Sequence, residues 1–311
     1  MKKITVIAVI AVIVSALLQN SALYAQVIKP AQPPAGFESR YAKVNGITLH
    51  YVTGGKGEPL VLIHGFGENW YVWNRLLPIL GEHFTVIVPE LRGVGESDKP
   101  EGGYNKKTMA TDIHELVKQL HFNKASVVGH DIGLMVAYSY AAQFRSEVKK
   151  LVMMEATIPG ADPYYTEGKK SAWWWGFFSW PHSAELVAGK EEFFITEFWK
   201  AQAYLQNRET REEMNEFVRA YKTPGAITSS FKWFAAFTQD EKDNAVLMQH
   251  PLQMPVMVIG GDKHDGPMLE GVIKVVAPAG KMIMVKDGGH WLMQERPEET
   301  KAMLLDFLVD K

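Results

Sequence analysis

The 311-residue chain contains no cysteine. Disulfide staples, thiolate nucleophiles and cysteine-ligated metals are therefore excluded. It also lacks any block of like charge. The 33 basic residues stand against 35 acidic ones, a formal net charge of −2, so neither nucleic acid nor an anionic membrane surface is expected as a partner. Internal repeats and low-complexity tracts are missing as well. What is there, 47% hydrophobic and 22% charged residues, suffices for a sizeable core in one large domain or one domain plus an insert.

The first 25 residues read as separate from the fold. Lys2-Lys3 is a charged start, Ile4 to Leu18 an apolar run, and Ser21-Ala-Leu-Tyr-Ala25 a small-residue end suited to cleavage before Gln26. The apolar run is short for a bilayer span, and Gln19-Asn20 follows it at once. The expectation is a secretory signal peptide and a secreted or periplasmic protein that is not held in the membrane after cleavage. Without Lys2 and Lys3 the mature charge is −4.

Residues 26–36 hold three prolines and little that can pack, so folding is expected to start near Phe37. Tyr41 to Val44 and Ile47 to Thr53 read as two strands joined by the hairpin signal Asn45-Gly46. Leu60 to Ile63, Phe84 to Val88, Ala125 to Val128, Leu151 to Met154, Val256 to Ile259 and Met282 to Val285 are short apolar runs with little alternation, typical of parallel strands buried on both faces. Amphipathic stretches separate them: Met109, Ile113, Leu116, Val117 and Leu120 share one helical face, and Pro297 opens a last helix burying Met303, Leu304, Phe307 and Leu308. The fold class is α/β: an eight-stranded, mostly parallel sheet with helices on both faces. Between Thr157 and about Met248 no core strand is legible, only helical segments crowded with aromatics. Residues 157–248 are therefore expected to form a helical lid inserted between core segments 26–156 and 249–311, with Pro159-Gly160 and Pro251 as hinges.

The chemistry centres on Ala125-Ser-Val-Val-Gly-His-Asp-Ile-Gly133, where a strand pattern runs through a small-residue turn into a helix. Gly129 and Gly133 flank Asp131 where backbones come too close for a side chain, so Asp131 is turned out into a cleft. A carboxylate nucleophile needs N–H donors, a base to activate water, and an acid to orient that base. His64-Gly-Phe-Gly67 follows a strand and aims the Phe66 N–H at the same point as the Ile132 N–H, an oxyanion hole. His290 follows the last strand in Asp287-Gly-Gly-His290-Trp291, at the carboxyl edge of the sheet where open α/β sheets put their sites. For the relay acid two positions stay open. Glu155, at the end of the strand after the turn, is favoured, and Asp262 in Ile259-Gly-Gly-Asp262 is the alternative. Asp262-Lys-His264-Asp265 lacks ligand spacing on a defined element, so neither a metal site nor a cofactor is expected.

These motifs resemble the epoxide hydrolase and haloalkane dehalogenase branch of the α/β-hydrolase superfamily, and most of all its Cif-type secreted bacterial epoxide hydrolases. Besides the stretches already quoted, Gly36-Phe-Glu-Ser39, Trp70-Tyr71 with Trp73, Ile158-Pro159, and Ala188-Gly-Lys190 with Phe193-Phe194 carry the likeness, which covers nearly all of residues 37–311. The resemblance implies Asp131 as nucleophile, Glu155 as relay acid and His290 as the base that directs water onto an alkyl ester. Relatives of this type place His or Tyr at a first lid position and Tyr at a second, to protonate the departing alkoxide. Here Trp175 and Phe234 stand at those positions, and Trp233 and His130 are expected at the pocket as well. An indole N–H solvates halide better than it protonates an alkoxide, which brings dehalogenation into view. Yet the chain has Ile132 where haloalkane dehalogenases carry Trp, and it lacks the Arg that follows the nucleophile in fluoroacetate dehalogenases. The expectation is hydrolysis at an sp³ carbon of a small hydrophobic substrate, epoxide first and alkyl halide second, with a ligand-binding homologue of weak activity as the third reading. Exposed lid aromatics would also accommodate a homodimer.

Overall fold

The computed structural model describes residues 29–309. The expected signal peptide lies outside the described residues. The chain divides into two units, Met1–Ala31 and Gln32–Lys311, and every element below belongs to the second.

Eight strands form one sheet: β1 (Phe37–Val44), β2 (Ile47–Gly55), β3 (Glu58–Ile63), β4 (Phe84–Pro89), β5 (Ala125–His130), β6 (Val148–Met154), β7 (Val256–Gly261) and β8 (Lys281–Val285). Their spatial order is β1-β2-β4-β3-β5-β6-β7-β8. The hairpin forms at Asn45-Gly46, where both residues take positive φ, 45° and 77°, as a two-residue turn requires. Pairing is antiparallel from β1 to β4 across β2, and parallel from β4 onward. The α/β architecture with a mostly parallel sheet is thus the one the apolar runs imply.

Two strands depart from the sequence reading, both at the sheet edges. β1 starts at Phe37 rather than Tyr41, because an edge strand tolerates the exposed, charged stretch Glu38 to Arg40. β8 is not buried on both faces: Lys281 and Met284 are exposed on this strand, the last in the order of the sheet.

The helix Lys106–Gln119 is capped by Asn105, whose side chain accepts from the Thr108 N–H, and it buries Met109, Ile113, Leu116 and Val117. The following helix, Ile132–Gln143, is apolar all round and packs against β3, β5 and β6 on one side and Lys106–Gln119 on another. In the last helix, Pro297–Leu308, Thr300, Leu304 and Leu308 face inward, whereas Met303 and Phe307 are only half-buried.

Between β6 and β7, from Tyr164 to Leu247, the regular elements among the described residues are all helices. The final helix of this stretch, Phe237–Leu247, lies against the two core helices rather than over the cavity. A buried ion pair fixes it there: Asp240 accepts from the Lys106 N–H (2.7 Å) and pairs with Lys106 Nζ (2.8 Å). The residues of the 157–248 stretch that line the cavity, Thr157 to Phe234, all precede it.

The sheet reverses its winding at β3. From β3 the chain goes to β4 on one side, and β5 returns on the other. Such a switch point opens a crevice at the carboxyl ends of the two strands. Ile63 pairs with Gly129 at that end, so the loop after β3 and the turn after β5 start side by side.

Candidate active site

The turn after β5 forces its central residue outward. A Cβ on Gly129 would stand 2.2 Å from the Gly133 carbonyl oxygen, and one on Gly133 would stand 2.3 Å from that of Ile63. Asp131 takes φ 51°, ψ −125°, a conformation that costs an L-residue on the order of 1–3 kcal/mol and is held by the packing around it. Its carboxylate points into the crevice beneath the lid.

One oxygen of that carboxylate, Oδ1, accepts from the Phe66 N–H at 2.7 Å, and the Ile132 N–H also donates to the carboxylate. The loop that aims Phe66 is pinned on every side. Gly65 N–H donates to Glu68 Oε2 (2.6 Å), Gly67 N–H to the Tyr221 hydroxyl (2.7 Å), and the Gly67 carbonyl accepts from the Trp199 indole (2.7 Å). No Cβ would fit at Gly65, where it would meet Asp131 Oδ1 at 2.6 Å. Burial raises the Asp131 carboxyl to about 6, against the pull of the His130 charge and the two N–H donors.

His290 is buried on the loop after β8, with Nε2 3.7 Å from Asp131 Oδ2 and Nδ1 3.6 Å from Glu155 Oε2. Both separations exceed a hydrogen bond, and a small contraction closes them, as is usual before substrate arrives. The loop is held by Glu295, whose carboxylate accepts from the N–H groups of Gly289 (3.1 Å) and Trp291 (3.0 Å) on either side of the histidine. Burial, and then the positive charges of His264 and His130, push the His290 imidazole well below its ordinary value, so it is neutral and able to accept a proton.

Glu155 is wholly buried at the end of β6, in a positive-φ turn (53°). It accepts from the Gly261 N–H and pairs with His264 Nδ1 at 2.9 Å. Burial raises its carboxyl, and the His264 charge opposes that rise. Asp262 sits differently: it is partly exposed and pairs with Lys263 at 3.1 Å. Of the two relay positions, the fold brings Glu155 to His290.

An enclosed cavity of about 40 Å³ lies over Asp131 and His290. Phe66, Trp174, Trp175, Phe198 and Phe234 make most of its apolar wall, with Thr157, Gln202, His264 and Asp265 as polar members. Trp175 packs between Tyr165 and Phe237, at centroid distances of 5.5 and 5.3 Å, and Phe234 stands edge-on to Phe66 at 5.2 Å. Trp233 and His130 are not brought to this wall. The Trp233 indole turns away to donate to the Arg92 carbonyl (3.0 Å). His130, buried beneath the floor, spans Glu68 Oε1 (2.9 Å) and the His290 carbonyl (2.8 Å). Glu68 overcomes the burial that disfavours its charge and raises His130 to about 9.

Two residues of the site, Glu68 and Glu295, carry no signal in the sequence reading. His264, discounted there as a metal ligand, and Trp174, in the aromatic run of the lid, lie where only the folded chain shows which way each points. For Glu68 the spacing was available: three residues after Gly65, it can reach back to that N–H as a capping carboxylate does.

The alpha/beta hydrolase fold family matches residues 58–297 of the chain. A soluble epoxide hydrolase of Corynebacterium sp. is 33% identical over 283 residues, covering 86% of this chain and 95% of that protein. A fluoroacetate dehalogenase of Burkholderia sp. is 29% identical over 292 residues, covering 88% and 95%. Among solved structures, the Cif epoxide hydrolase from Acinetobacter nosocomialis superposes with a TM-score of 0.84 at 25% identity, over 94% of this chain and 96% of that one. The chain belongs to the alpha/beta hydrolase fold family and is a hydrolase of the epoxide hydrolase type.

Proposed function

We propose that the protein hydrolyses a small, apolar epoxide through an alkyl ester on Asp131. The observation that carries this reading is the asymmetry of the Asp131 carboxylate. Oδ1 accepts from the Phe66 N–H, whereas Oδ2 faces His290 at 3.7 Å. Oδ2 attacks the epoxide carbon and the C–O bond opens, leaving an ester and an alkoxide that takes up a proton. His290 then removes a proton from water as the oxygen attacks the Asp131 carbonyl carbon. The oxyanion forms on Oδ1, where the Phe66 N–H already donates. In the collapse the departing alkoxide takes the proton held by His290, and the aspartic acid left behind gives up one proton, the counterpart of the one the first alkoxide took, so the diol leaves and the carboxylate is restored.

The cavity's wall favours substrates of few heavy atoms unless the lid opens, because a single water already needs roughly 10–15 Å³. The alkoxide meets no tyrosine there. The N–H groups of Trp174 and Trp175 and the Thr157 hydroxyl, which is buried without a hydrogen-bond partner, are the donors on the wall. That observation supports dehalogenation as the second reading, since indole N–H groups solvate a departing halide. We also propose export: the charged start, apolar run and small-residue end of residues 1–25 support cleavage before Gln26, which the mass of the exported protein would read.

The decisive experiment is intact-mass analysis of His290→Gln after incubation with mixed terminal epoxides and, separately, mixed alkyl halides. An epoxide adduct on Asp131 is the expected result. An adduct from the halides alone would replace the epoxide reading with dehalogenation. No adduct from either, in a folded protein, would overturn both.

A further inference from the structure

Glu155, His264, Asp265 and His290 each present one donor atom, and these four atoms all lie within 4.8 Å of one another. They come from three different loops, those after β6, β7 and β8, which meet at the carboxyl edge of the sheet. His264 Nδ1 is 2.9 Å from Glu155 Oε2, His290 Nδ1 is 3.6 Å from the same oxygen, and His264 Nδ1 is 3.7 Å from Asp265 Oδ2. Donors around a tetrahedral zinc ion at bond lengths near 2.0–2.1 Å stand about 3.3 Å apart. The three spacings just given lie on either side of that edge, and the ion would draw in the remaining pairs, which reach no farther than 4.8 Å. A second observation points into the same space. His290 is buried, and its Nδ1, which faces the cluster, has no hydrogen-bond partner.

We infer that this cluster is a binding site for a zinc-class divalent cation, and that the filled site switches the enzyme off. Two imidazole nitrogens and two carboxylate oxygens suit Zn²⁺ or Co²⁺ rather than Ca²⁺ or Mg²⁺, which take oxygen ligands in larger number. Four protein donors close the coordination shell and leave no position for an activated water, so the ion is no hydrolytic metal. His264 and Asp265 both line the cavity, and through it the cation enters.

The consequence for catalysis rests on the reading of Asp131 and His290 proposed above. Water activation needs Nδ1 of His290 to carry the hydrogen and Nε2 to be bare. A cation on Nδ1 imposes the opposite tautomer: Nε2 then holds the hydrogen and cannot accept another. The cation also withdraws Glu155 from its relay. Asp131 keeps its N–H donors and its free Oδ2, so alkylation proceeds and hydrolysis of the ester stops.

The test uses the unaltered, metal-stripped protein titrated with CoCl₂ and ZnCl₂. One Co²⁺ per chain with the visible bands of a four-coordinate ion is expected, displaced by Zn²⁺. X-ray absorption of the Zn²⁺ form should read two imidazoles among four N/O ligands at about 2.0 Å. His264→Gln, and independently the more exposed Asp265→Asn, should each weaken binding by at least roughly tenfold. No stoichiometric binding, a six-coordinate spectrum, or affinity that both variants leave unchanged would overturn the site. In parallel, Zn²⁺-loaded protein given the epoxide mixture should accumulate the adduct mass that His290→Gln shows without metal. A bound ion with no adduct, while His290→Gln does accumulate it, would overturn the switch. If His290→Gln itself shows none, the proposed chemistry fails, and the Co²⁺ spectrum still decides the site.

Discussion

Replacing Glu155 by Gln, beside Asp262→Asn as its counterpart, separates the two relay positions by rate. Glu155 Oε2 stands 3.6 Å from His290 Nδ1 in a fully buried setting. When His290 becomes imidazolium in the water-activating step, that carboxylate stabilises it by about 4–5 kcal/mol at an effective dielectric near 20. Its loss should slow ester hydrolysis by roughly 10³-fold, because each 1.4 kcal/mol is a factor of ten. Gln keeps the carbonyl oxygen that accepts from the Gly261 N–H, so the turn after β6 survives the change. Asp262, partly exposed and paired with Lys263, should change the rate by less than about twofold when made Asn, as surface ion pairs contribute little. Rapid-quench single-turnover kinetics distinguishes the steps: in Glu155→Gln, ester formation should remain fast and ester decay should become limiting. Slower decay in Asp262→Asn than in Glu155→Gln would refute the assignment. So would a Glu155→Gln protein in which alkylation is slowed as much as hydrolysis.

Three further outcomes are expected. Because burial raises Asp131 to about 6, kcat/KM should fall below that pH as the nucleophile is protonated, by about tenfold at pH 5, where an ordinary Asp would hold its charge to pH 4; a pH-rate profile reads it. Phe234→Tyr should raise epoxide turnover and leave halide release unchanged, whereas Trp175→Phe should depress halide release first; product assays on both substrate panels check the pair. Glu68→Gln should destabilise the fold by about 3 kcal/mol at neutral pH, measured by denaturant unfolding, because it strips a buried pair. His130 is raised from 6.5 to about 9 in the fold, so its contribution is complete below pH 6.5 and lost as pH rises through 9, and the gap to the unaltered protein should narrow over that window.

What the chain reveals before folding is what short-range sterics dictate. Apolar runs of strand length mark the sheet, and the glycines at 129 and 133 mark a turn that no side chain could enter, which is why Asp131 could be singled out. Glu155 was legible because it directly follows a strand, and His290 because the loop after the last strand carries it. Orientation was not legible. Trp233 and Phe234 are neighbours in one helix, yet Phe234 reaches the cavity and Trp233 bonds to Arg92, a difference set by the helix's rotation against the core. The place of Phe237–Leu247 was hidden for the same reason: only the Lys106–Asp240 pair shows that it lies with the core helices. For His264 the local stretch Asp262-Lys-His264-Asp265 shows no ligand spacing, and nothing in it points to Glu155. The histidine's place against Glu155 depends on β6 and β7 being neighbours, which is topology rather than local pattern.

The same topology explains how three histidines within one site come to hold different charges. His130 faces Glu68, and His264 faces Glu155 and Asp265, so each gains a proton that burial alone would deny it. His290 lies between these two rings, 4.8 and 4.6 Å away by centroid; burial first, and then their positive charges, hold its imidazole below the ordinary value. In the proposed chemistry the base is thus kept by burial, with two imidazolium groups added, in the form that can take a proton from water. In the proposed chemistry, ester formation on Asp131 removes a negative charge from the cluster, and water activation then separates charge, negative on Oδ1 and positive on His290. That separation falls between fixed groups, the Phe66 N–H on one side and the Glu155 carboxylate on the other, the condition under which a dry cavity lowers a barrier instead of raising it.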